Sequence, residues 1–339
     1  MKIDSGAGGG LTEMARVAGE LEAAGFDGIW TGETSHDPFL MSLCCAQGTS
    51  KVSVGTSIMI AFARTPMVTA EAGWDLAQHS GGRFILGMGS QIKPHIERRF
   101  SMPWSQPAAR MREYVLALRA IWDCWRNGTK LDFDGDFYTH TLMTPMFTPE
   151  DHGFDLPPIY VAGVGDKMVE GAGEVADGYF AHAFTTLQYF EQSTLPALKR
   201  GLAKAGRSRE DLAVCCSPFI VSGRTEEQFE SAVAATRQQI AFYASTPAYE
   251  AVLAAHGWEA IRPELTRMSK EGKWVEMAAL IDDEMLNAFA VVGTPKECGA
   301  EVVRRWGDHL QRMTLHTWGS GDVTLRAEVL DAVRGALAS

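Results

Sequence analysis

Val52-Ser53-Val54-Gly55-Thr56-Ser57-Ile58-Met59-Ile60, followed by Pro66 to His79 and then by Arg83-Phe84-Ile85-Leu86-Gly87, reads as strand, helix, strand. The first run carries β-branched Val52, Val54 and Ile58, which favour a pleated, buried surface. Pro66 suits the first turn of a helix, where its missing N–H has no intrahelical partner in any case. The same alternation continues in both directions. Upstream stand a strand at Met1 to Asp4, a helix at Leu11 to Ala24, a strand at Gly28 to Thr31 and a helix at Pro38 to Gln47. Downstream come a helix at Ala108 to Arg126, a strand at Ile159 to Ala162 with a helix beginning near Asp166, a strand at Gly178 to Ala181, and a helical run from Leu187 to Ala205 with a break expected near Pro196. A strand at Ala213 to Val221, a helix at Glu226 to Tyr243, a strand at Arg312 to Thr317 and a helix at Leu325 to Ala338 complete the chain. Eight strands, each followed by a helix, predict a (β/α)8 TIM barrel rather than an open sheet.

The chain has 339 residues, and a barrel of about 250 leaves a surplus that falls at 128–156 and 246–295. A single domain over 1–339 is expected, with those two inserted segments as lid or dimer-contact regions. Lys and Arg number 31 against 42 Asp and Glu, a net charge of −11, which speaks against sequence-independent nucleic-acid binding. No apolar run reaches the length of a membrane span and the amino terminus lacks a secretory pattern, so a cytoplasmic protein is expected. Six cysteines with no C-x-x-C read as structural thiols, and the histidines lack close metal-ligand spacing. Neither G-x-G-x-x-G, nor a P-loop, nor a G-x-S-x-G elbow occurs.

Barrel chemistry belongs at the carboxyl ends of the strands. Gly32-Glu33-Thr34-Ser35-His36-Asp37-Pro38 follows the second strand: two acids and a histidine suited to proton transfer, or a helix cap from Ser35 or Asp37 beside a solvated Glu33. Gly55 to Phe62 has small residues before a bulky run, giving either access for a flat ligand or a plain buried strand. Gly87-Met88-Gly89-Ser90-Gln91 makes room at the end of the fourth strand, ahead of Lys93, His95, Arg98 and Arg99, which neutralise an acidic ligand tail or line an exposed helix. Ala162-Gly163-Val164-Gly165 before a helix is either an anion site or a tight turn.

Trp30-Thr31-Gly32-Glu33, Gly55-Thr56-Ser57-Ile58, Gly81 to Ser90, and Val161-Ala162-Gly163 with Ala176-Asp177-Gly178 together resemble the bacterial luciferase-like monooxygenase superfamily. Glu33 to Leu40 and Ser90 to Phe100 resemble its coenzyme F420 (8-hydroxy-5-deazaflavin) branch. The resemblance implies an F420-dependent oxidoreductase, usually a homodimer, with the coenzyme at the strand ends. It places Glu33, Ser57, Ile58, Met59, Gly89, Ser90, Gln91 and Ala162 at the coenzyme, with the phosphate on Gly163, Val164 and Gly165. It also implies a non-proline cis peptide at Ser57–Ile58. A sugar-phosphate dehydrogenase of the branch has histidine directly after the acid; this chain has Thr34 there and offers His36, and Gln91 and Ile92 stand where that enzyme has another acid. His36 is the expected proton donor, with Glu33 orienting it or binding the ring hydroxyl. His182, His316 and Trp318 are expected to line the substrate pocket. The apolar content of 246–295 favours an apolar carbonyl or alcohol, imine or activated alkene as substrate. The alternatives are an FMN-dependent two-component monooxygenase fed by a separate flavin reductase, and a non-catalytic F420- or flavin-binding protein.

Overall fold

The computed structural model describes residues 1–317 and 322–338. The barrel strands are β1 (Lys2–Gly6), β2 (Gly28–Thr31), β3 (Ser53–Thr56), β4 (Phe84–Gly89), β5 (Ile159–Ala162), β6 (Gly178–Ala181), β7 (Ala213–Cys216) and β8 (Arg312–Leu315). Their hydrogen-bonded order follows the chain, with β3 also paired to β4, as in a (β/α)8 TIM barrel. Helices stand where their periodicity and caps predict: Pro38–Gln47, Pro66–Ser80, Pro107–Asn127 and Glu226–Ala244.

Two strands expected to be continuous are interrupted, each for a local reason. The run Val52 to Ile60 stops at Thr56, the Ser57–Ile58 peptide is cis, and Met59–Ile60 resumes beside Met88 and Gly89. The run Ala213 to Val221 stops at Cys216, because Pro218 has no N–H for a ladder; Phe219–Val221 then pairs in parallel with Ala290–Val292, a short strand that sequence periodicity does not reveal. The break near Pro196 is a π-helical turn at Phe190–Thr194, followed by the helix Leu195–Lys204. No helix among the described residues is long and apolar enough to cross a membrane.

The chain divides into two compact units, Met1–Asp4 with Ala181–Pro196 and Val214–Ser339, and Ser5–Phe180 with Ala197–Ala213. In the second, Trp30 meets Phe180 edge-on at 5.2 Å and Tyr160 at 6.4 Å. Gly87 is required by this packing: a Cβ there would lie 1.9 Å from the Thr56 carbonyl oxygen and 2.7 Å from the Phe180 ring. The room left by that glycine is therefore filled by the protein's own core, not kept for a ligand. The segment 128–156 forms a hairpin, Phe133–Asp134 against Thr139–His140. Glu113 anchors it by accepting the N–H groups of Asp136, Phe137 and Tyr138 at 2.7–2.9 Å.

The first unit has its own core, in which Phe184, Phe219, Ile240, Leu253, Leu265, Met277, Ile281 and Phe289 are packed and buried. The segment 246–295 is a series of short helices rather than one long one. Met277 and Ile281 turn inward from it, while Trp274 and Leu280 face outward. A buried ion pair ties β1 to β8, with Arg312 Nε and Nη2 donating to the two Asp4 carboxylate oxygens at 2.8 and 2.7 Å.

Candidate active site

The second unit holds most of the residues singled out by sequence. Thr31 closes β2 by donating to the Pro38 carbonyl at 3.0 Å and sharing a hydrogen bond with Ser42 at 2.8 Å, which folds the loop 32–37 back on the helix it precedes. Asp37 caps that helix, its Oδ1 accepting from Phe39 N at 2.9 Å and Leu40 N at 3.3 Å. The capping reading of Asp37 is therefore correct. The solvated reading of Glu33 is not, because its side chain is only 6% exposed and lies against Arg64. Arg64 Nη1 donates to Glu33 Oε2 at 2.8 Å and to Oε1 at 3.0 Å, and Nη2 donates to Asp37 Oδ2 at 2.7 Å. Burial disfavours the Arg64 charge, but hydrogen bonds with Glu33 and Asp37 outweigh it and raise its pKa above the ordinary guanidinium value. His36 sits at the exposed crest of this loop.

Arg64 is the residue that sequence reasoning passed over. The available signal was its isolation, since no other Lys or Arg occurs between Lys51 and Arg83. Its partners are 27 and 31 positions away, out of reach of any local pattern.

Glu33 also grips the neighbouring segment. Its N–H donates to the Ile58 carbonyl at 3.2 Å, and its Oε2 accepts from Ile60 N at 2.7 Å. Ser57 N donates to the Thr31 carbonyl at 2.7 Å, so residues 57–60 are fixed at three points to the end of β2 and the loop after it. Met59 is wholly buried, whereas Ser57 and Ile58 remain partly accessible. The Ile58 side chain lies over Gly89, where a Cβ would come within 3.0 Å of its Cδ1. Gln91, two residues on, has φ 58°, a left-handed conformation uncommon outside glycine. Ser90 Oγ donates to the Gln91 carbonyl at 3.1 Å.

After β5 the chain turns through Gly163, Val164 and Gly165 into the helix Asp166–Val175. Gly165 has φ 82°, and space is open where its Cβ would be. Its carbonyl already accepts from Met168 and Val169 N, which leaves the N–H groups of Asp166 and Lys167 as the first-turn donors. Asp166 alone would repel an anion here, but Arg200 pairs with it and with Glu170. Tyr179 Oη donates to the Gly163 carbonyl at 2.8 Å and fixes the turn. Open space, free donors and a neutralised acid suit a phosphate.

His182 and His316 belong to the other unit. His182 Nδ1 accepts from Phe184 N at 3.0 Å, so in the neutral ring Nε2 carries the proton and donates to Tyr249 Oη at 3.1 Å. Tyr249 stacks on the imidazole and Tyr243 meets it edge-on, both at 4.7 Å. Burial lowers its pKa to about 4. His316 is half-buried, which also lowers its pKa. Trp318 lies outside the described residues.

A groove of about 560 Å³ lined by Trp122, Asn127, Pro158 and Asp177 opens at the amino end of β5, away from the strand ends just described. Among the described residues no group of three or more His, Cys, Asp or Glu is placed to hold a metal ion.

The family model described as luciferase-like monooxygenase matches residues 2–309. An uncharacterized protein of Mycobacterium tuberculosis is 54% identical over 293 residues, 86% of each chain. A 5,10-methylenetetrahydromethanopterin reductase of Methanolobus tindarius is 27% identical over 296 residues, again 86% of each chain. Among solved structures, a coenzyme F420 dependent tetrahydromethanopterin reductase from Methanopyrus kandleri superposes with a TM-score of 0.78 at 21% identity, over 98% of this chain and 97% of that one. An F420-dependent secondary alcohol dehydrogenase in complex with an F420-acetone adduct gives 0.74 at 19% identity, over 99% and 98%.

Proposed function

The chain belongs to the luciferase-like monooxygenase family, and from that premise we propose that it is a coenzyme F420-dependent oxidoreductase. The observation that carries the reading is the pairing, within one unit, of the Ile58 shelf over Gly89 with the donor-rich turn 163–167 at the end of the neighbouring strand β5. The first suits a planar ring and the second a phosphate. The likeness to an F420-dependent tetrahydromethanopterin reductase and an F420-dependent secondary alcohol dehydrogenase supports the choice of deazaflavin.

In this reading Ile58 backs the ring, Ser57, Gly89, Ser90, Gln91 and Ala162 border it, and the turn at Gly163, Val164 and Gly165 holds the phosphate. Bound there, the deazaflavin supplies hydride exchange at C5. His36, the imidazole on the loop after β2, delivers or removes the accompanying proton. Glu33 does its work through Arg64 and the backbone of 58–60, not as a free base. The substrate is a small, apolar carbonyl or alcohol, imine or activated alkene. The segments 128–156 and 246–295 serve as lid or dimer contact, and the protein works as a cytoplasmic homodimer.

Fluorescence titration of the purified protein with oxidised F420, and in parallel with FMN, tests this. Saturable binding of F420 in preference to FMN is expected. Preference for FMN would replace the assignment with a two-component monooxygenase. F420 binding without turnover of any carbonyl, imine or alkene in a broad panel would make it a coenzyme-binding protein.

A further inference from the structure

We propose that Arg64 is the positioning residue of this pocket: its forked guanidinium fastens the His36 loop to the Ile58 shelf, so that both meet the bound coenzyme in fixed register. The inference rests on the coenzyme reading above. One cation holds both acids that flank residues 34–36, Glu33 through Nη1 and Asp37 through Nη2. Glu33 in turn holds the shelf on two sides, through its own N–H to the Ile58 carbonyl and through Oε2 to Ile60 N. Arg64 also closes the circuit directly, with Nη1 lying 3.4 Å from the Ile60 carbonyl oxygen. The guanidinium stands 5.6 Å from the centroid of the Phe39 ring, in the first turn of the helix that Asp37 caps.

The chemistry calls for arginine. A planar fork serves two carboxylates at once, whereas an ammonium is a point charge that serves one well. Side-chain exposure of 16% for Arg64 and 6% for Glu33 keeps the pair out of the solvent that weakens surface ion pairs. Without Arg64, Glu33 retains the Ile60 amide but faces a sheltered site with an unbalanced charge. It then turns toward water, and the shelf loses the Oε2 tie at Ile60 while the backbone ties at Ser57 and Ile58 remain. Arg99 adds a second restraint on the loop by donating to the Thr34 carbonyl, whereas Arg64 touches both the loop acids and the Ile60 carbonyl of the shelf.

The test titrates oxidised F420, and FMN in parallel, into wild type, Arg64→Met, Arg64→Lys and Asp37→Asn, reading affinity and the fluorescence anisotropy of the bound ring beside a thermal melt. Asp37→Asn keeps a good helix cap but removes the charge from one arm of the fork. Arg64→Met is expected to weaken binding about tenfold or more and to lower the anisotropy of whatever ring still binds, with Arg64→Lys and Asp37→Asn between it and wild type. If Arg64→Met does not fold, the graded loss in the other two variants decides. Wild-type affinity and anisotropy in folded variants, with only the melting temperature lowered, would make Arg64 a structural residue and overturn the inference. Wild-type protein that binds FMN instead of F420 refutes the coenzyme reading, and the variants then test Arg64 against FMN. Wild-type protein that binds neither refutes both.

Discussion

Acidification from pH 7 to pH 5 should destabilise the protein through His182 by about 2 kcal/mol. The imidazole is held neutral between an amide that donates to Nδ1 and the Tyr249 hydroxyl at Nε2, with two aromatic rings against it. Burial lowers its pKa from 6.5 to about 4. The sign follows from proton binding. Between those two values the unfolded chain takes up a proton that the folded protein refuses, so stability falls as pH drops through that window and levels off below it. Each pKa unit is worth about 1.4 kcal/mol, and integrating from pH 7 to pH 5 gives the figure of about 2 kcal/mol. Urea unfolding of wild type and His182→Gln at pH 7, 6 and 5 isolates the effect. His140, His152, His256 and His316, whose pKa values are also lowered by burial, are common to both proteins and cancel. The stability advantage of wild type over the variant should shrink by about 2 kcal/mol over this range. Parallel curves would show that the His182 ring protonates as readily in the folded protein as outside it, and the argument from burial would fail.

Asp4→Asn leaves the buried Arg312 without its carboxylate and should cost about 3–5 kcal/mol in stability; a melting temperature within a degree of wild type would refute this. His36→Ala should lower turnover far more than coenzyme affinity, measured by steady-state rates beside a fluorescence titration; equal turnover would remove His36 as the proton donor. Val164→Asp sets a carboxylate at the turn before the helix Asp166–Val175, at a side chain 38% exposed that the fold can spare. Coenzyme binding should weaken about tenfold or more, and unchanged affinity would move the phosphate elsewhere. Gly163 is a poorer position for that test, because a Cβ there would lie 2.2 Å from Met168 Cγ and disturb packing as well as charge.

What could be read in advance was whatever local chemistry dictates. The helix Pro38–Gln47 has its cap, its proline and its end written within a dozen residues, and its boundaries match the reading. The two interrupted strands differ in this respect. Pro218 was a local signal for the second break that the reading of Ala213 to Val221 as one strand passed over, whereas nothing in an apolar run such as Val52 to Ile60 marks a cis peptide by periodicity, and only the family resemblance pointed to Ser57–Ile58. The site follows the same rule. Its glycines and its histidine stand in short motifs, but the partner of Glu33 lies 31 residues along the chain and the partner of Asp37 lies 27, so the role of Glu33 emerges only when the chain is folded.

The parallel pairing of Phe219–Val221 with Ala290–Val292 bears on how this scaffold can be re-engineered. An insertion in a loop is commonly treated as a cassette, cut at its two ends and replaced by a relative's. Here the distal end is woven back into a strand that precedes the helix Glu226–Ala244, so cutting at 246 and 295 removes one half of a ladder and strands the other. The transplantable piece runs from Phe219 to Val292, and a chimera built on those boundaries carries both halves of its own seam.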